Sequence, residues 1–463
     1  MSLIASISGI RGTIGGPAGE GLSPIDIVKF TAAYAQQRKA KFPNKERLKV
    51  VVGRDARISG EMVAGLVCST LTACGIDVVD AGLASTPTTE MAVLFEEADG
   101  GIILTASHNP QEWNALKLLD EKGEFLSDAD GREVVRLAGE GGFVFADVLS
   151  LGKLTHKDFT DAHVKAVLDY PLVDVPAVRN AGFKVVLDAI NSVGAIAMPA
   201  LFRALGVECT VINGEPNGRF AHNPEPLPAN LTDLSYKVIQ TGAHLGVSVD
   251  PDVDRLAFIC ENGAPFGEEY TLVAVADYVL ESKKGDTVSN LSSSRALKDV
   301  TEAHGGVYRF SKVGEKNVST LMQESGAVIG GEGNGGVIVP DFHYGRDALI
   351  GTALFLSLMA HKGLKASALR ATYPDYYISK NKIQIADPAV IDSLLEAVKA
   401  HYSQEQINTS DGLRVDFEAD KKWFVLRKSN TEPIIRIYAE ARDERTADAL
   451  AQEVIIIINK QLA

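Results

Sequence analysis

Asp250-Pro251-Asp252-Val253-Asp254-Arg255 places carboxylates at alternate positions, which in an extended segment project to one side. Three anions held that closely repel unless a cation lies among them, and a few hard oxygens suit Mg²⁺. Glu261 falls at the twelfth position counted from Asp250, as in a calcium loop. However, the sixth position is Arg255 where such a loop turns on Gly, and the flanks LGVSV and LAFI read as strands where helices are required. The plainer alternative is an acidic turn without metal.

Thr105-Ala106-Ser107-His108-Asn109-Pro110 sets a hydroxyl at the end of an apolar run beside an imidazole. A capping or turn serine would look the same. No G-x-S-x-G surrounds it, and His108 follows Ser107 too directly to act as a triad base, so acyl transfer is disfavoured. Gly331-Glu332-Gly333-Asn334-Gly335-Gly336 lets its backbone approach a ligand closely, with Glu332 and Asn334 able to grip hydroxyls; alone it is a Gly-rich turn, and it matches no phosphate-loop or dinucleotide pattern. Arg427-Lys428-Ser429-Asn430-Thr431-Glu432-Pro433, followed by Arg436, offers guanidiniums, hydroxyls and loop amides to a phosphate, or is a polar hairpin. Arg11, Lys117 and Lys312 are further cations near expected loops, each equally readable as a solvated surface charge.

The elements that must position these loops recur three times as strand, helix, Gly-led second strand, and third strand ending in a polar loop. The first copy runs from LKVVVG (48–53) through GIDVVDAG (75–82) to GGIILT (100–105), the second from FKVVLDAI (183–190) through GVECTVI (206–212) to LGVSV (245–249), and the third from DTVSNL (286–291) through VYRFSKVG (307–314) to GAVIG (326–330). Such alternation predicts α/β domains, in which ligands gather at the loops leaving the carboxyl ends of strands. After Tyr373 the pattern changes to four strands and two helices. The expectation is three similar α/β domains with mixed sheets (1–153, 154–258, 259–372) and a smaller α+β domain (373–463), arranged around a central cleft.

The totals agree. A chain of 463 residues exceeds one core, and 46% hydrophobic with 23% charged residues is an ordinary globular balance. A net charge of −14 and the lack of a basic run disfavour nucleic acid and anionic membranes as partners, while a small anion remains possible where a few Arg and Lys converge. Neither an export signal nor a spanning stretch is apparent. Cys68, Cys74, Cys209 and Cys260 lie in apolar segments without a C-x-x-C pair, so reduced thiols and a cytoplasmic location are expected.

Taken together and in this order, the loops resemble those of the α-D-phosphohexomutase family, and the resemblance covers the chain from Ile10 to Arg436. Members have T-A-S-H-N-P around a phosphorylated serine, D-x-D-x-D-R for Mg²⁺, G-E-x-[SN]-G for sugar hydroxyls and R-x-S-x-T-E-P for phosphate, and this sequence shows all four. The resemblance implies that Ser107 carries the phosphoryl group and joins Asp250, Asp252 and Asp254 around the metal. It implies that Arg11, His108, Lys117 and Arg255 surround the transferred group, that Glu332, Asn334 and Lys312 meet the sugar, and that Arg427, Ser429, Asn430, Thr431 and Arg436 hold the other phosphate. The implied activity interconverts hexose 1- and 6-phosphates through a hexose 1,6-bisphosphate, which also serves as activator, in a monomer or homodimer. Gly336 and Gly314-Glu315 stand where many bacterial members have His and Gly-His, which bears on sugar choice. The Asn-containing loop and S-N-T-E-P tail look like the branch often assigned as phosphoglucosamine mutases, with phosphoglucomutase/phosphomannomutase activity as the alternative. A metal-dependent sugar phosphatase and a non-catalytic phosphosugar sensor are the competing classes.

Overall fold

The computed structural model describes residues 3–6, 9–428 and 433–462. Four sheets follow one another along the chain, and the first three share one strand order. In the first, Lys49–Arg54 lies between Asp77–Leu83 and Gly101–Leu104, all parallel, and Trp113–Leu119 returns antiparallel beside Gly101–Leu104. In the second, Lys184–Asp188 lies between Glu208–Ile212 and Leu245–Val249, with Leu256–Cys260 returning. In the third, Thr287–Asn290 lies between Tyr308–Ser311 and Ile329–Glu332, with Gly336–Val339 returning. The return strand is absent from the repeat as read in the sequence. It makes each polar loop the turn of a hairpin whose first strand, such as Leu245–Val249, is buried along its whole length.

Sheet pairing shifts two expected boundaries. Leu154–His156 pairs with Val78–Asp80, so the first sheet passes residue 153, and Leu256–Cys260 spans residue 258. Neither a short edge strand nor a hairpin's second arm announces which sheet it joins. At the other edge of the first sheet, Gly9–Thr13 pairs with Trp113–Leu119, setting Arg11 opposite Ala115 on the face that also carries Lys117.

The second and third units share one core. Phe258 stacks on Phe355 of the helix Ala348–Lys362 at 3.9 Å between ring centres, and Phe266 meets the same ring edge-on at 5.0 Å. The fourth unit is a five-stranded antiparallel sheet with Ile391–His401 and Glu444–Leu462 packed on one face. Its other face divides: Trp423 and Val425 pack on Leu291 of the third unit, while the exposed Lys382 and Arg436 and the half-buried Arg427 continue the same face as directly opposed neighbours on three strands. Among the described residues no helix is long and apolar enough to cross a membrane, and all four cysteines are free.

The junction between the third and fourth units buries a carboxyl. Glu440 accepts bonds from the Arg295 backbone N–H at 2.9 Å and Trp423 Nε1 at 2.7 Å, and burial pushes its pKa up to about 7. A carboxyl raised in this way holds its proton more tightly folded than unfolded, so its stability contribution is present below about pH 4.5 and lost as pH rises through about 7. Glu440→Gln, which keeps the accepting oxygen, should therefore flatten a decline in melting temperature between pH 5 and pH 8; an equal decline in both proteins would contradict the assignment.

Candidate active site

The serine loop is shaped by one buried guanidinium. Arg57, following Lys49–Arg54, donates from Nη1 to the carbonyls of Pro110 (2.6 Å) and Trp113 (2.9 Å), and from Nη2 to those of Ser107 and Asn109 (2.7 Å). Its Nε is paired with buried Asp55 at 3.0 Å. Asp55 also accepts from the Thr105 hydroxyl at 2.6 Å, whose oxygen in turn accepts from the Ser107 N–H at 2.9 Å. Under these constraints Ser107 takes φ of +49°, an uncommon conformation for a residue with a side chain. It is 8% exposed, and its Oγ donates to Asp250 Oδ2 at 2.8 Å.

The aspartates converge for a reason other than the expected one. Residues 250–255 form a tight hairpin turn with Val253 at φ +64°, not an extended segment, and the turn brings one oxygen of each carboxylate within 4.8 Å of the others. The local driving force is the Asp250 carboxylate, which accepts from the backbone N–H groups of Asp254 (3.2 Å) and Arg255 (3.1 Å) and so closes the turn. Thr86, opening a helix of the first unit, clamps the turn from outside: its N–H donates to the Asp252 carbonyl at 2.8 Å and its hydroxyl to Asp252 Oδ2 at 2.7 Å.

All three carboxylates are fully buried. Burial and the charges of Asp254 and Asp252 push Asp250 well above the usual carboxylate range. Asp252 is also penalised by burial, but Lys117 Nζ at 2.7 Å outweighs this and holds it low. Asp252 Oδ1 and Asp254 Oδ1 are buried and have no hydrogen-bond partner among the described residues. Orphaned hard oxygens converging beside a serine hydroxyl fit a small divalent cation such as Mg²⁺. A second buried group, His163, His343 and Asp347, is also close enough to ligate, but its bonds are complete. Asp347 Oδ2 takes Nε2 of His163 (2.9 Å) and of His343 (3.1 Å), while the Thr88 hydroxyl and the Gly345 N–H reach the two Nδ1 atoms.

The cations around the serine differ in role. Lys117, on the return strand of the first unit, also lies 3.4 Å from Asp254; burial opposes its charge, yet the two aspartates keep it protonated. His108 Nδ1 is 3.3 Å from Ser107 Oγ, and burial, aided by Arg255, pushes its pKa down to about 2, leaving the imidazole neutral. Arg255 is buried and pairs with Glu225 at 3.1 Å. Arg11 lies half-buried on the neighbouring strand, its pKa lowered by burial.

Glu332 is the last residue of its strand rather than part of the loop, and is buried. Its Oε1 accepts from Asn290 Nδ2 (2.8 Å) and the Gly314 N–H (3.0 Å), and its Oε2 from Arg346 (2.9 Å). Burial disfavours its charge, but Arg346 and the hydrogen bonds keep it ionised. Asn334 is half-buried and its Oδ1 accepts from the Gly336 N–H at 3.2 Å. Lys312 is exposed and lines a cavity of about 540 Å³ shared with Ser127 of the first unit and Asn408 of the fourth. Arg427 pairs with Asp411 at 2.8 Å, and Asp411 also accepts from the Val313 N–H at 3.0 Å, which sets the guanidinium beside the start of the third unit's 314–315 turn. Ser429, Asn430 and Thr431 lie outside the described residues. Sequence reasoning missed Arg57, Asp55, Thr86 and Arg346. Only the R-D-A-R run after the first strand carried a signal, since partners such as Arg346 and Asp254 stand 92 positions apart.

Family models agree with this arrangement. The phosphoglucomutase/phosphomannomutase alpha/beta/alpha domains I, II and III match residues 4–143, 161–263 and 267–376, and the C-terminal domain of that family matches 382–457. A phosphoglucomutase/phosphomannomutase of Thermococcus kodakarensis is 38% identical over 96% of each chain. A probable phosphoglucosamine mutase of Methanopyrus kandleri is 35% identical over 89% of this chain and 90% of its own. The crystal structure of a family protein from Burkholderia thailandensis superposes with a TM-score of 0.84 at 26% identity, covering 100% of this chain and 98% of that one. The fold and site thus define a phosphohexomutase, an isomerase acting on small hexose phosphates. The chain belongs to the phosphoglucomutase/phosphomannomutase family.

Arg57→Lys keeps the charge but loses the fork that reaches four carbonyls. A lysine should leave the serine loop loose and lower kcat by about 10²-fold, the usual cost of misplacing a reacting group. Wild-type kcat in this variant would show that the loop holds itself.

Proposed function

We propose that this chain interconverts hexose 1-phosphates and hexose 6-phosphates through a phosphoserine at Ser107, with Mg²⁺ at Asp250, Asp252 and Asp254, hexose 1,6-bisphosphate as intermediate and activator, and glucosamine phosphates as the leading substrates. The observation that carries this reading is the 2.8 Å contact between Ser107 Oγ and a buried aspartate turn that still holds two orphaned oxygens. When bound, the cation would neutralise charge on the transferred phosphoryl group.

The remaining work falls to the chain. The Arg57 clamp and the left-handed backbone aim Oγ across the gap between the first and second units. Lys117, kept protonated by the aspartates, supplies a fixed positive charge beside the phosphoryl oxygens and a proton for the leaving serine oxygen. Neutral His108, 3.3 Å from the same oxygen, accepts a proton from the attacking hydroxyl or orients it. Arg11 and Arg255 complete the anion's surroundings, and Glu332 with Asn334 reads the sugar. The row Lys382, Arg436 and Arg427 sets like charges directly opposite one another; Asp411 offsets Arg427, and a non-reacting phosphate over the exposed Lys382 and Arg436 would relieve the rest. Because such a row binds phosphate by charge alone, it would accept the bisphosphate in either sense.

A phosphatase would release inorganic phosphate steadily, whereas a mutase keeps water from the phosphoserine while the sugar is bound and releases little. The names of relatives divide between glucose or mannose and glucosamine phosphates, so the sugar is decided by assay. Glucosamine 6-phosphate, glucose 1-phosphate and mannose 1-phosphate, each with a trace of the bisphosphate, should isomerise with little inorganic phosphate released, glucosamine 6-phosphate fastest. Ser107→Ala should cut isomerisation at least ~10³-fold with an unchanged melting temperature. Near-normal turnover in that variant, or stoichiometric phosphate release by the wild type, would refute the reading.

A further inference from the structure

Arg346 ends the strand His343–Arg346, outside the loops singled out by sequence, and is buried. Its backbone N–H and Nε both donate to Glu315, at 2.8 and 3.1 Å. Its Nη1 donates to Glu332 at 2.9 Å and its Nη2 to Asp254 at 2.7 Å. One guanidinium therefore joins the start of the helix Glu315–Ser325, the sugar loop and the aspartate turn, and each donor goes to a different task. A planar fork can do this where a lysine, with one flexible point charge, cannot.

Gly336 makes room for it. A Cβ at Gly336 would lie 2.3 Å from Arg346 Cδ and 3.0 Å from its Cγ. The backbone of Gly336 is not in the left-handed region, so the glycine answers to space rather than to conformation. Gly336, Glu315 and Arg346 thus form one set: the absent side chain leaves the channel, the arginine fills it, and the glutamate holds the arginine along its edge.

We propose that Arg346 is the positioning residue for sugar recognition, acting through Glu332, whose carboxylate it fixes against the aspartate turn. Glu332 has three protein donors, two on Oε1 and one on Oε2, and Arg346 is the donor that orients Oε2. Without it the carboxylate can rotate away from a hydroxyl placed between the loop and Ser107, and sugar affinity falls, while Asp254 keeps Lys117 at 3.4 Å as its remaining cation. This inference rests on the assignment of Glu332 to the sugar.

The test is a double-mutant cycle read by direct binding rather than turnover. Glucosamine 6-phosphate is titrated calorimetrically, at Mg²⁺ saturating for each form, into the full-length enzyme and its Glu332→Gln, Arg346→Met and doubly substituted forms. Each single substitution should weaken binding about tenfold, and the double substitution should weaken it no further, because both remove the same interaction. Multiplying effects, or wild-type affinity in Arg346→Met, would overturn the proposal, since a merely structural arginine gives independent losses. Gly336→Ala provides the same reading if Arg346→Met does not fold: its methyl displaces the guanidinium without removing a charge, and it too should be silent in the Glu332→Gln background. Should Glu332→Gln itself bind normally, the sugar-loop assignment and this inference both fail; should Glu332→Gln bind weakly and the arginine variants bind normally, only this inference fails.

Discussion

Packing three carboxylates into one buried turn is the constraint around which the molecule is organised. Burial alone would drive these groups to take up protons, and their mutual repulsion adds to the cost, so the turn persists only because cations are brought to it. Lys117 comes from the first unit and Arg346 from the third, at 2.7 Å from Asp252 and Asp254 respectively. Even so, Asp250 remains raised and two oxygens remain without partners. The protein has assembled most, though not all, of the positive charge the turn requires, and the deficit is what a divalent ion would supply.

This charge balance also explains why the units cannot be understood singly. The Ser107 hydroxyl, the Thr86 helix start and Lys117 all reach the aspartate turn from the first unit. From the third unit Arg346 reaches it and holds Glu332 with the same guanidinium. The shared core of the second and third units, with Phe258 against Phe355, keeps turn and sugar loop in register. The fourth unit is tied in by Trp423 against Leu291, by Glu440 on the Arg295 backbone and by Arg414 on the Leu291 carbonyl. Ser107 and Val253, in the two hairpin turns that meet, are both held at positive φ.

Much of this was legible in the sequence. Periodicity gave three α/β units and an α+β tail, because strands buried on both faces, such as Leu245–Val249, read as unbroken apolar runs. The four polar loops stood out by residue type. What could not be read was what holds them. Of the return strands only LAFI, in the second unit, reads as a strand, because its apolar run is unbroken, and spacing suggests an extended segment for the aspartates because it cannot reveal a turn closed by the carboxylate of Asp250 on its own backbone. Arg57 and Arg346, which shape two of the four loops, bind carbonyls and carboxylates distant in sequence, and an isolated arginine looks like a surface charge. Lys312, a cation beside a loop, is left exposed by the fold and lines a cavity.

The central claim is that Ser107 and the aspartate turn face a single divalent ion which also meets the phosphoryl group. Mn²⁺ can stand in for Mg²⁺ and reports its neighbours magnetically. Electron–nuclear double resonance on enzyme phosphorylated at Ser107 and loaded with one Mn²⁺ should show a strong coupling to a single ³¹P nucleus, lost on dephosphorylation. A bound Mn²⁺ with no phosphorus coupling would place the metal and the serine in separate sites and contradict the account.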